Sequence, residues 1–298
     1  MRVDGGRRLA PVIYRRRRRA GAIVVAALAA LAVGLLVGAG GGTAGRHRVA
    51  AKHLHRAVNP TTPLAALQAQ EENAAINRTL AYTPYVRTAG SQHREIALTF
   101  DDGPGPYTSQ ILAVLEREHA PATFFEVGVL EQYFHAATAA IVASGDPIGD
   151  HTEDHAPMSR LKPKLQQEQL LEQTAAIGDY GAPFPRMFRP PYGLWDSATL
   201  RLLHKFRMLM VLWSVDTDDW QMPGVDVIVD RALQGATPGG IILLHDAGGD
   251  RSETVAALPR IIRGLRKGGY KLVTVPKLLL DNPAPADQDV AGLRGIGG

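Results

Sequence analysis

The chain has 298 residues, 45% hydrophobic and 21% charged, which suits one or two folded domains and excludes a wholly disordered or collagen-like chain. Its net charge of +4 is unevenly spread: residues 1–56 carry twelve Lys or Arg against Asp4 alone, while the other 21 bases face 28 acids. The body is therefore mildly acidic and implies no nucleic-acid partner, and with no Cys there is neither a disulfide nor a thiolate-held metal.

Residues 1–19 end in an Arg run, Arg15 to Arg19, and residues 20–45 hold no charge. An apolar stretch of about 20 residues spans a bilayer as a helix. Eight Arg precede it, which predicts a cytoplasmic N-terminus and a body outside the cytoplasmic membrane. Its length favours a single-pass signal-anchor; cleavage after Gly42-Thr43-Ala44, giving a secreted protein, is the alternative. Residues 46–93 read as a juxtamembrane stalk with a short polar helix at Leu64–Leu80, residues 94–280 as the folded domain, and residues 281–298 as a disordered tail rich in Pro, Ala, Gly and Asp.

Within the domain, short apolar runs alternate with amphipathic stretches. Strands are predicted at Ile96–Phe100, Ala122–Val127, Pro147–Gly149, Met187–Arg189, Met208–Val215, Gly240–Leu244 and Lys271–Val275. Helices are predicted at Thr108–His119, Leu130–Ser144, Lys164–Gly178, Ser197–Phe206, Val225–Gln234 and Glu253–Lys267. This alternation predicts an α/β fold with a parallel sheet or closed barrel, whose site gathers at the C-terminal strand ends.

Five polar clusters sit there: Asp101-Asp102 before a Gly/Pro turn, His151 and His155 four residues apart, Arg189 before two prolines, Asp216 to Trp220, and His245-Asp246. Singly, each also reads as an ordinary turn, loop or surface pair. If residues 151–155 form one helical turn, its two imidazoles face the same way. With Asp102 they make a two-His, one-carboxylate set that suits zinc or non-haem iron. Asp101 then suits a base and His245 an acid, the parts needed for hydrolysis.

In this order the motifs resemble the polysaccharide deacetylases of the NodB-homology type, carbohydrate esterase family 4, across about Glu95–Leu280. The resemblance implies a distorted (β/α)7-type barrel and metal-dependent removal of acetyl groups from an acetylated polysaccharide. Carried over by position, Asp102, His151 and His155 resemble the ligands of a divalent metal, with Zn2+ expected and Co2+, Fe2+ or Mn2+ as alternatives. Asp101 resembles the general base and Arg189 the residue that pairs with it. The Tyr192 backbone N–H resembles an oxyanion donor, His245 the general acid, and Asp219 the acid that aligns it. Trp220 and Leu243 resemble walls of the acetyl pocket. Two residues depart from the family pattern: Asp150 stands where relatives often carry Asn, and Ala156 where Pro is usual. An extra carboxylate at 150 is expected either to tighten cation binding or to alter the loop. Peptidoglycan or another N-acetylglucosamine polymer is the expected substrate. The rivals are a non-catalytic glycan-binding module on a membrane stalk and a hydrolase of non-sugar amides.

Overall fold

The computed structural model describes residues 63–290. The predicted basic segment, the apolar segment 20–45 and residues 46–62 of the stalk lie outside these residues. Among the described residues, no helix is long and apolar enough to cross a membrane.

The described chain runs α1 (Pro63–Leu80), β1 (Tyr85–Val86), β2 (Glu95–Gly103), α2 (Thr108–Arg117), β3 (Thr123–Glu126), α3 (Glu131–Ser144), β4 (Ile148–Asp150) and α4 (Pro163–Gly178). It continues through β5 (Met187–Phe188), α5 (Ser197–Phe206), β6 (Leu209–Val211), β7 (Val215–Asp216), α6 (Val225–Gln234), β8 (Gly240–His245), α7 (Ser252–Lys267), β9 (Lys271–Leu272) and α8 (Val275–Asp281). The strands pair in the order β1-β6-β5-β4-β3-β2-β8-β7, with β9 against the start of β2, and every paired ladder is parallel. β2 from Ile96 to Phe100 and β8 from Gly240 to Leu244 are apolar except for Thr99, and both runs lie buried, as central strands of a parallel sheet must.

Side chains alternate across the sheet. On one face Ile96, Leu98, Phe100, Ile242 and Leu244 pack against α2, α6 and α7. On the other, Ala97, Phe125, Met187, Val211 and Ile241 form a second core, closed by Ile76 of α1 and by Leu278 and Leu279 of α8.

The predicted strand Met208–Val215 is two strands on opposite flanks of the sheet. β6 lies between β1 and β5, while β7 pairs with β8. The link crosses between the flanks: Leu212 N donates to Val86 O at 2.7 Å and Ser214 N to Ile241 O at 3.0 Å. An isolated Thr88–Gly240 bridge joins the same two sides. The sheet is thus a curled, partly open α/β arrangement rather than a regular barrel.

The ends of the domain need correcting. Residues 75–93 are no detached stalk: Ala75, Ile76, Val86 and Ala89 are buried and β1 belongs to the sheet. Nor are residues 281–290 a disordered tail. Asn282 is fully buried; its Oδ1 accepts from His93 N at 2.6 Å and its Nδ2 donates to Glu95 Oε2 at 3.0 Å. Gln288 Oε1 accepts from the backbone N–H groups of Arg87 and Thr88. Composition concealed this because the strap is held by amide and backbone hydrogen bonds, which leave no hydrophobic period. Asn282→Ala is expected to cost about 1–3 kcal/mol for each polar group left unsatisfied, read as a lower midpoint of thermal unfolding. An unchanged midpoint would make the strap peripheral.

Candidate active site

The β2–β8 register sets Thr99 beside Leu243 and Asp101 beside His245. Partners in a parallel ladder point to the same face, so polar side chains take over the inner column where its apolar residues Ala97 and Ile241 end. Arg189 follows β5 on the same rim. It is fully buried, with its guanidinium carbon 4.1 Å from the Phe125 ring centroid. Its Nη1 donates to Asp101 Oδ1 at 2.7 Å and to Thr99 Oγ1 at 2.8 Å. Nε and Nη2 donate to Val211 O and Leu212 O, where the predicted strand breaks. One guanidinium therefore fixes Asp101 and caps the crossing of the sheet.

Adjacent strand residues should point to opposite faces, yet Asp101 and Asp102 serve one cavity. A register shift lies between Asp101 and Gly103, and Asp102 has φ +73°. The bulge turns its carboxylate back, so that His151 Nε2 lies 3.8 Å from Asp101 Oδ2 and 3.5 Å from Asp102 Oδ1. His155 Nε2 lies 3.0 Å from Asp102 Oδ1. Burial opposes the Asp102 charge, but His155 and His151 outweigh it and hold the carboxyl well below its ordinary range.

The two histidines do not share a helical turn. Residues 151–155 form a loop in which Thr152 (φ +69°) and His155 (φ +60°) are left-handed, and this doubling-back brings the rings to 5.0 Å between centroids. Spacing alone could not distinguish the two routes to convergence. His151 Nδ1 lies 2.7 Å from Arg189 O; a carbonyl only accepts, so Nδ1 carries the hydrogen and Nε2 faces the acids. His155 Nδ1 lies 3.0 Å from the Tyr192 hydroxyl, a side-chain role that sequence reading missed. The ligand atoms of Asp102, His151 and His155 all lie within 4.8 Å of one another, an arrangement able to hold a metal ion.

The expected extra carboxylate does not join them. Asp150 Oδ1 accepts from Thr152 N at 2.7 Å, bracing the left-handed turn. Burial, opposed by the Thr152 bond and assisted by Glu153, pushes Asp150 well above its ordinary range, and its Oδ1 fills the acceptor place that an Asn amide oxygen could take. Ala156 N donates to Thr152 Oγ1, a bond proline could not make.

Across the cavity, His245 Nδ1 lies 2.7 Å from Asp219 Oδ1, and His245 N donates to Asp219 Oδ2 at 2.9 Å. Burial depresses the imidazole pKa, but Asp219 more than offsets this and raises it to about 9. Tyr192 sits in the Pro191–Gly193 turn at φ +61°. It is 45% exposed and Trp220 38%, so both stand at the rim, whereas Leu243 is buried two residues below His245. Behind the site, Asp246 accepts from Thr108 Oγ1; burial, opposed by that bond, pushes it up to about 7. Left-handed backbone at Asp102, Thr152, His155, Tyr192, Asp218 and Met222 concentrates conformational cost around this one cavity.

The sequence model of the polysaccharide deacetylase family matches residues 89–211. The chain is 40% identical over 187 residues to a peptidoglycan-N-acetylglucosamine deacetylase of Bacillus cereus, covering 62% of this chain and 87% of that one. It is 37% identical over 199 residues to a chitooligosaccharide deacetylase of Bradyrhizobium sp., covering 62% and 90%. The crystal structure of the Bc1960 peptidoglycan N-acetylglucosamine deacetylase superposes with a TM-score of 0.65 at 29% identity, over 72% of this chain and all of that one. The chain belongs to the polysaccharide deacetylase family, hydrolases of carbon–nitrogen bonds other than peptide bonds.

Proposed function

We propose that this chain removes acetyl groups from an N-acetylglucosamine polymer, peptidoglycan above all, outside the cytoplasmic membrane to which residues 20–45 anchor it. One observation carries the reading: a carboxylate–guanidinium pair, an Asp/His/His cluster and a His–Asp pair converge on one rim of the sheet. The named substrates of the similar proteins support the choice of glycan.

Asp102, His151 and His155 would hold a divalent cation, and two imidazoles with a carboxylate suit Zn2+ first, with Co2+, Fe2+ and Mn2+ as alternatives. When bound, the ion supplies a Lewis acid that acidifies water and polarises a carbonyl. Asp101, fixed by Arg189, accepts the proton of the attacking water as the new C–O bond forms. The backbone N–H of Tyr192 is assigned to the developing oxyanion. His245 gives its proton to the departing nitrogen as the C–N bond breaks, leaving acetate and a free amine. Trp220 and Leu243 are assigned to the walls around the acetyl methyl group.

The decisive experiment measures acetate release from N-acetylglucosamine oligomers and from peptidoglycan, with and without a chelator. Release that needs added metal supports the reading; release that a chelator leaves untouched overturns the metal role. Glycan binding without turnover under any metal would favour a pure binding module. For the anchor, protease treatment of intact bacteria expressing the full chain should digest the body and spare the N-terminal segment.

Gly248 offers a sharper probe of the cluster. It has φ +75°, and a Cβ there would lie 2.2 Å from Asp102 Oδ2. Gly248→Ala must displace that carboxylate, so metal affinity, read by chelator competition, is expected to fall about 10–100-fold, as when a ligand's support is lost. Unchanged affinity would remove Asp102 from the ligand set.

A further inference from the structure

The first turn of α7 touches the segment that carries Asp219 and Trp220 at three places. Arg251 Nη1 donates to Trp220 O at 3.4 Å, Glu253 Oε2 accepts from Gly224 N at 2.8 Å, and Thr254 Oγ1 donates to Asp219 Oδ2 at 2.7 Å. Thr254 alone reaches the acid pair, and it is fully buried. Thr254 lies in the first turn, where the residue four back precedes the helix, and it gives its single proton to Asp219.

We propose that Thr254 is a positioning residue for the general acid. Asp219 Oδ1 faces His245 Nδ1, while Oδ2 takes two bonds, from His245 N and from Thr254. The backbone bond comes from the residue being aligned, so it moves with that residue. Thr254 comes from a separate helix and ties the carboxylate to the α6–α7 layer. Its hydroxyl stops the carboxylate turning about its own axis, keeps Oδ1 on Nδ1, and so keeps Nε2 aimed into the cavity. This assignment rests on the reading of His245 as the acid that protonates the leaving nitrogen.

Two substitutions separate the hydroxyl from the packing. Thr254→Val keeps the shape and loses the donor, while Thr254→Ser loses a methyl and keeps the donor. With metal-loaded full-length protein and N-acetylglucosamine oligomers, kcat of Thr254→Val is expected to fall about 10–100-fold, the size of one hydrogen bond to a charged group. KM should stay within about twofold, because uniform binding is untouched. The alkaline limb of the pH–rate profile should move in the Val variant and stay in the Ser variant, which should also keep most of its kcat. A Val variant with wild-type kcat, or a Ser variant as impaired as Val, overturns the assignment and leaves Thr254 a packing residue. If the Val chain does not fold, Thr254→Ala against Thr254→Ser gives the same contrast at matched volume. Failure of the unsubstituted protein to release acetate would overturn the deacetylase reading itself, and this assignment with it; it is distinguishable because it appears without any substitution.

Discussion

Replacing Asp101 with Asn is expected to lower kcat about a thousandfold, within the range assigned to a positioned general base, while metal affinity stays unchanged. The two halves of this prediction come from different bonds. Asp101 Oδ1 belongs to Arg189, and its Oδ2 stands 3.8 Å from His151 Nε2, farther than Asp102 Oδ1 stands from either imidazole. Asn preserves size and an acceptor for the guanidinium but cannot take a proton from water. The arginine side of the pair predicts more damage to the fold. Arg189 is wholly buried and its bonds reach β2, Val211 and Leu212, so Arg189→Met leaves Asp101 buried without its partner and gives up the cap on the crossing. Breaking a buried pair in this way costs about 3–5 kcal/mol. The thermal unfolding midpoint should therefore fall in both variants, less in Asp101→Asn, which removes the countercharge of the buried guanidinium but keeps an acceptor for it, than in Arg189→Met, which also loses the bonds to Val211 and Leu212. A turnover for Asp101→Asn within tenfold of the wild type would remove Asp101 from the base role.

Sequence patterns locate the parts of this site better than they explain its assembly. The apolar runs ending in Asp101, Arg189 and His245 marked the rim because parallel strands buried on both faces leave continuous hydrophobic stretches with abrupt polar ends. The bulge at Asp102 left no trace, since a bulge adds a residue to a strand without changing its composition. The route by which His151 and His155 converge is not legible either, because a spacing of four is shared by a turn of helix and by a doubled-back loop. The break at Leu212 was invisible for a related reason: the apolar run continues unbroken from Met208 to Trp213 through strand and extended crossing alike, and only the partners Val86 and Ile241 distinguish them. Tyr192 Oη, Thr254 and Gly248 contribute through contacts with residues 37, 35 and 146 positions away in sequence. No local pattern encodes such pairs.

The second large effect belongs to His245. Loss of the acid in His245→Gln is expected to reduce kcat by about 10²–10⁴, and the more informative change is Asp219→Asn. Burial pulls the His245 pKa down while Asp219 pulls it up, and the balance stands at about 9. The wild-type kcat/KM should then hold across neutral pH and fall on an alkaline limb near 9, where the imidazolium loses its proton. Asp219→Asn removes the largest raising influence and leaves the desolvation, so the limb should move to neutral pH or below, and the activity loss should be far greater at pH 8 than at pH 6. Stability follows the same linkage. A histidine whose pKa rises from 6.5 to about 9 on folding contributes its stabilisation fully below 6.5 and loses it as pH climbs through 9. Asp219, depressed by His245 and Thr254 against its burial, contributes above its unfolded value of 3.8 and loses that contribution as pH falls through its lower folded value. The pair therefore stabilises the fold between those limits, and Asp219→Asn should lower the unfolding midpoint at pH 6 and hardly change it at pH 10. Equal losses at both pH values would mean that Asp219 acts on packing rather than on the charge of His245, and an alkaline limb unmoved by Asp219→Asn would place the catalytic proton on another group.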